Sequence, residues 1–347
     1  MKTKISVVIL LINFLSVINI TAQKRIEDFQ INIPEERNVK SAFKTITLID
    51  ARPDTTNVGI VQKGAFNAKA KVIPVTPLRD QLQNLLAAMT NQESQEGELV
   101  LYLKQFYFAE VTGAISEKGY CYFQAYLFSK NKEEKFQLVD EIDSVIVHSS
   151  MDVTKATMKK GSALVSNFIL KNLYNKDNSN IAYSYEELKK YDKIAKQELP
   201  LYNTTIVPDG LYTNFQNFRE LVISNVPVAN IKTTPDGAKA YKVYTKINDK
   251  EKEVDKSDYY AMVYKGTPYV YSEMDRAFLK MTKKNDDNDY YFTAKAKATA
   301  KTGNIIAASA FFGIIGGLIA ADAKSEFEMK LDYLNGGFMP VREIEKR

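Results

Sequence analysis

The segment ELVLYLKQFYFAEV, residues 98–111, constrains the fold more than any other part of the chain. Side chains in a strand alternate between two faces. Here both faces are apolar, Leu99, Leu101 and Leu103 on one and Val100 and Tyr102 on the other. A strand of this kind needs cover above and below, which predicts a central position in its sheet. Two more strands follow, GYCYFQAYLFS (119–129) after a hairpin-turn candidate at Ser116-Glu117-Lys118-Gly119, and KFQLVDEIDSVIVHSS (135–150), with a bulge expected around Asp140 to Asp143.

Upstream, KTITLID (44–50) reads as a strand with Ile46 and Leu48 on one face, ending in the turn-rich ARPDTTNVG. After the extended KVIPV (71–75), Thr76 is the expected N-cap and Pro77 the first helical residue. Leu78, Leu82, Leu85, Leu86 and Met89 then repeat at helical spacing. A second helix is expected from an Asp152 cap to about Tyr174, with Leu164, Val165, Phe168, Ile169 and Leu173 inward. The order strand, helix, three strands, helix predicts an α+β domain over residues 40–175, both helices on one face of a mainly antiparallel sheet.

The stretch ITLIDARPDTTNVGIVQKG resembles the start of the periplasmic auxiliary proteins of ABC-type lipid-transport systems, through Asp50, Arg52 and Gly59, and the element order matches theirs. The resemblance covers about 135 residues and implies a non-enzymatic accessory role in the cell envelope. Those proteins are usually lipid-anchored through an N-terminal Cys, which this chain lacks. Asp50 and Arg52 also have a plain local reading, a strand-end carboxylate paired with an arginine in the next turn.

Polar NKDNSN (175–180) predicts a boundary, and residues 176–200 read as a linker carrying a short helix with a Ser184/Glu187 capping box. Residues 201–347 alternate like strands, which predicts a second, mainly antiparallel sheet. Its short helix is expected near Phe215 and Phe218, behind a Thr213/Gln216 capping box. The GLYTNFQNF start, the YAMVYKGTPYVYS hairpin and LDYLNGGFMPV also resemble an uncharacterised type of exported Gram-negative bacterial protein.

The opening MKTKISVVILLINFLSVINITA has a basic start, an apolar run and a small-residue end, the pattern of a secretory signal cleaved after Ala22. Its removal takes away Lys2 and Lys4 alone, leaving 45 basic against 42 acidic residues, a balance that argues against a nucleic-acid partner. The expected location is the periplasm or envelope, and the expected partner is an envelope protein. The other apolar stretch, Ile305 to Ala321, is short for a membrane span, which needs about 20 residues. Ser309, Gly313, Gly317 and Ala321 form a small-residue stripe suited to close helix packing, on a sheet or in a membrane. A Gly/Ala-rich apolar helix is expected there, docked on the protein, inserted in lipid or held by a partner.

Familiar catalytic sets are missing. One His (His148) and one Cys (Cys121) leave almost no transition-metal ligand set. Ser149 and Ser150 follow His148, but no G-x-S-x-G elbow exists. Cys121 lies in an alternating strand and reads as a buried small hydrophobe. The acidic 285–289 turn lacks calcium-loop spacing and reads as solvated. No catalytic, cofactor or metal residue is assigned. The candidate interaction residues are Asp50, Arg52, Gly59, Ser309, Gly313, Gly317 and Ala321. The sequence favours a non-enzymatic envelope accessory protein. The alternatives are a carboxylate-dependent hydrolase of glycan or lipid, and a membrane-inserted structural or sensing protein using residues 305–321.

Overall fold

Strand β5 (Gly97–Thr112) sits at the middle of an eight-stranded sheet in the computed structural model. The structure describes residues 26–52, 54–63, 68–112, 117–174, 180–295 and 326–344. The signal-like segment, residues 113–116 with Ser116 of the expected hairpin turn, and the apolar stretch with Ser309, Gly313, Gly317 and Ala321 lie outside the described residues. On one side β5 pairs with β6 (Glu117–Lys130), which pairs with β7 (Phe136–Ser150). On the other side two strands share its length. These are β2 (Phe43–Asp50) along the first half and β3 (Gly59–Lys63) near the second end. Strands β4 (Ala68–Pro74) and β1 (Ile26–Phe29) extend the β3 edge, and β8 (Ala182–Tyr183) extends the β7 edge.

The sheet is mainly antiparallel, as expected, but carries three parallel pairings. Both β2 and β3 run parallel to β5, and β1 parallel to β4. Helix α1 (Leu78–Met89) carries the chain back across the sheet, as a parallel entry requires. Two bulges bend the central strands. Lys104 is the extra residue of β5, between the pairs Leu103–Ala125 and Gln105–Gln124. Val139 is the extra residue of β7, one position before the expected bulge.

Helix α1 and helix α2 (Thr154–Lys171) cover one face, and the helical stripes explain why. Leu78, Leu82, Leu85, Leu86 and Met89 are all buried, as are Val165, Phe168, Ile169 and Leu173, while Leu164 is only partly buried. They meet Leu99, Leu101, Leu103, Phe106, Phe108, Cys121, Phe123 and Leu127. Gly161 brings α2 close to the sheet. A Cβ there would lie 2.6 Å from Cys121 Sγ and from the Phe108 ring. The expected caps differ at both helices. Pro77 occupies the N-cap of α1 and Val153 that of α2, and neither provides a side-chain cap.

Residues beyond 180 begin with short helices, α3 (Tyr185–Leu188), α4 (Tyr191–Gln197) and α5 (Pro200–Asn203). The Ser184/Glu187 capping box opens α3. Two sheets follow where one was expected. Strands β9 (Gly210–Tyr212), β10 (Asn230–Thr233), β11 (Lys239–Ile247), β12 (Lys250–Glu253), β13 (Ala261–Tyr264), β14 (Thr267–Ser272) and β15 (Ala277–Lys280) form an antiparallel seven-stranded sheet. Strands β16 (Thr282–Lys284), β17 (Asp289–Lys295), β18 (Glu326–Leu331) and β19 (Phe338–Ile344) form an antiparallel four-stranded sheet. The expected strand over 276–284 breaks at buried Met281, where the chain passes from one sheet to the other. The two sheets share a core that includes Val263, Val270, Leu279, Phe292, Phe327 and Leu331. Helix α6 (Phe215–Arg219) seals one end through Phe218, and its N-cap is Asn214, which accepts from Asn217 N–H, not Thr213.

Candidate functional site at the junction of the two halves

The other face of the first sheet is built differently. Val100, Tyr102, Tyr126 and Phe128 pack there with Leu188 and Tyr191 of the short helices. Beside them stand polar side chains that are almost fully enclosed. These are Lys104 (3% exposed), Gln105 (4%) and Gln124 (1%). Enclosing a charge is costly unless it is paired. The partners of Lys104 and Gln124 come from α4 and from the turn joining β18 to β19, whereas the buried Gln105 amide has no hydrogen-bond partner among the described residues.

Lys104 Nζ lies 3.2 Å from Asp192 Oδ1 and 3.9 Å from Asp332 Oδ1, and 3.7 Å from the centroid of the Tyr333 ring. The bulge at Lys104 frees this position from ladder pairing. Gln124 Nε2 donates to Asp332 Oδ2 at 2.9 Å, and Leu334 N–H donates to Asp332 Oδ1 at 3.0 Å. Burial raises the pKa of Asp332, and Lys104 with these donors offsets part of that effect. The Tyr333 hydroxyl donates to Asp192 at 2.8 Å. Tyr122 donates to Asp143 Oδ1 (2.6 Å), and Asn335 Nδ2 donates to Asp143 Oδ2 (2.7 Å).

A second cluster continues the seam. Asp289 is fully buried between Lys196 (2.8 Å) and Lys330 (2.5 Å). Lys196 also donates to the Asp287 carbonyl at 2.6 Å. Burial lowers the pKa of Lys196 against the pull of Asp289, whereas at Lys330 burial is outweighed by the combined attraction of Asp289, Asp287 and Asp192, and the pKa is raised. The 285–289 turn is therefore not simply solvated, because its last carboxylate anchors two lysines. Lys196 is 2% exposed and held on both sides.

Where the seam reaches solvent it borders a cleft of about 770 Å³ between β6, β7, α6 and residues 334–335. Gln124, Tyr126, Glu141, Asp143, Phe215 and Arg219 line it. Strand pairing sets Gln124 opposite Asp143 and Tyr126 opposite Glu141, so the four form a two-by-two patch on one face.

Of the residues singled out in the sequence, Asp50, Arg52 and Gly59 lie elsewhere, and Ser309, Gly313, Gly317 and Ala321 are outside the described residues. Arg52 Nε and NH2 donate to Asp50 at 2.8 and 2.7 Å, and NH1 donates to the Asn57 carbonyl at 2.8 Å. Asn57 Oδ1 accepts from Gly59 N–H. Gly59 has φ +139°, and a Cβ there would sit 2.2 Å from the Phe108 carbonyl oxygen. Asp50, Arg52 and Gly59 thus brace the β2–β3 turn against β5. His148 Nδ1 accepts from the Lys160 ammonium at 2.9 Å, which can only donate. Cys121 is buried, and burial pushes its thiol pKa up, which leaves it unreactive. Among the described residues no group of three or more His, Cys, Asp or Glu is placed to hold a metal ion. No described helix is long and apolar enough to cross a membrane.

No protein-family model matches the chain, and no curated protein matches it. Solved structures that resemble it in part include the following two. A Xanthomonas campestris protein of family DUF330 matches over 42% of this chain and 92% of its own, at 10% identity and a TM-score of 0.28. Another uncharacterized protein matches over 42% and 97%, at 13% identity and a TM-score of 0.23.

Proposed function

We propose that this chain is an exported, non-enzymatic accessory component of a cell-envelope assembly, and that it works by binding. The observation that carries the reading is the junction. Buried ion pairs and hydrogen bonds join the first sheet to α4 and to the β18–β19 turn, and an open cleft lies at their edge. Such a frame holds a recognition surface still, which reduces the ordering cost of association. The sequence resemblance to lipid-transport auxiliary proteins suggests the kind of assembly. The test is crosslinking in intact cells from a photoreactive residue at Gln216 on the cleft wall, with a control at an exposed position far from it. Capture of a discrete envelope component at Gln216 alone is the expected result. Recovery of none would sink the reading.

A second reading keeps the hydrolase alternative, because Glu141 and Asp143 project from one strand into the same cleft. Two flanking carboxylates are the minimum for glycoside hydrolysis. Against it, both oxygens of Asp143 are engaged by Tyr122 and Asn335. Turnover of a glycan or lipid that Glu141→Gln abolishes would favour the enzyme. The membrane-inserted alternative, through residues 305–321, is tested by an alkaline wash of envelopes. Release of a folded protein lacking 305–321, with retention of the intact one, would support an anchor.

A further inference from the structure

The cleft is rich in acceptors and short of positive charge. Glu141 is exposed and forms no ion pair among the described residues. Asp143 accepts from two neutral donors, a phenol and an amide, so its charge is not neutralised by them. Arg219, the cation on the lining, is matched by Glu220 at 3.0 Å. An independent observation comes from the strand facing these carboxylates. Gln124 is 1% exposed and spends its amide N–H on Asp332, while its Oε1 has no hydrogen-bond partner among the described residues. A buried acceptor without a donor is costly. Tyr126 and Phe215 add aromatic rings, which also attract cations.

We propose that this cleft binds a primary ammonium or guanidinium group, with Glu141 and Asp143 supplying the countercharge, Gln124 a neutral acceptor, and Phe215 and Tyr126 the walls. The idea rests on the reading of the chain as a binding component and names the chemistry of what it binds. Two sources can deliver that group, a lysine or arginine side chain of a polypeptide, or a free amine.

The experiment uses the full mature chain and a dye-labelled hexalysine peptide, followed by fluorescence anisotropy. The mature protein carries a slight positive charge, so general attraction to the peptide is not expected. Binding should appear, should weaken with salt, and should be lost when the lysines are acetylated. Glu141→Gln should weaken it about fivefold, the scale of a partly exposed ion pair. Glu141 is exposed, so this variant should keep the native circular dichroism. Competition by 1,5-diaminopentane at matched ammonium concentration identifies a free amine as sufficient, whereas competition by unlabelled hexalysine alone assigns the group to a polypeptide. Equal binding of the acetylated peptide, unchanged binding by Glu141→Gln, or no binding at all overturns the proposal. Capture of an envelope component that Glu141→Gln leaves intact would overturn it while the accessory reading stands. Hexalysine binding without any such capture would do the reverse.

Discussion

The two faces of the first sheet are covered by opposite means. Against α1 and α2 the sheet shows leucine and phenylalanine, and the cover comes from helices close in sequence. Against α4 and the β18–β19 turn it shows tyrosine, glutamine and lysine beside its apolar residues, and several partners stand about 200 positions away. Apolar contact is tolerant of small displacements. A buried lysine facing a carboxylate is not, because either group left alone costs several kcal/mol. The first face therefore supplies bulk stability, and the second fixes how the halves of the chain meet.

Four measurements sharpen or break that contrast. The largest effect is expected on the apolar face, where Phe123→Ala should cost about 4 kcal/mol in urea unfolding. A loss below about 1 kcal/mol would mean this face is loosely packed. Next comes Asp289→Asn, which leaves Lys196 and Lys330 without their shared carboxylate, at about 3 kcal/mol. An unchanged midpoint would show that the seam holds little of the assembly together. The third is Glu110→Gln on β5. Glu110 is 2% exposed, and burial raises its pKa although Thr154 and Gln62 N–H donate to it. With the folded value above the unfolded one, the folded state holds the proton more tightly. Stability thus falls as pH rises from the ordinary carboxylate range through that raised value. Glu110→Gln should flatten this fall in a pH series of thermal melts, and a retained slope would assign it elsewhere, Asp332 being the other carboxyl shifted upward among the described residues. The smallest is Ser184→Ala, which removes the α3 capping box for about 1 kcal/mol or less. Helix α3 covers the polar face, so a much larger loss would show that the short helices carry more of the junction than their length suggests.

The apolar half of this contrast was legible in the sequence, because it repeats locally. Leu78, Leu82, Leu85, Leu86 and Met89 announce α1 by spacing alone, and the two-faced ELVLYLKQFYFAEV announces a central strand. The exchange at Met281 between two sheets was not legible, since the sequence there simply continues to alternate. Strand β1 also went unassigned, being four residues with one buried side chain. The site was the least visible part. Lys104, Gln105 and Gln124 do show as polar letters inside apolar strands, a signal that could have marked them as buried. Nothing near them names Asp332, Asn335 or Asp289 as partners. Of the residues that the sequence did mark, the described ones, Asp50, Arg52 and Gly59, brace a turn away from the cleft.

The make-up of the second face also bears on how the chain comes to be complete. Domains tend to assemble from the N-terminal end as synthesis proceeds. The first sheet can form before residues 332–335 exist, and its second face must then stand in water for a time. Lysine and glutamine amid tyrosine tolerate that wait, because each polar group keeps a hydration shell until its carboxylate or amide arrives. A face of leucine in the same place would invite aggregation in the interval.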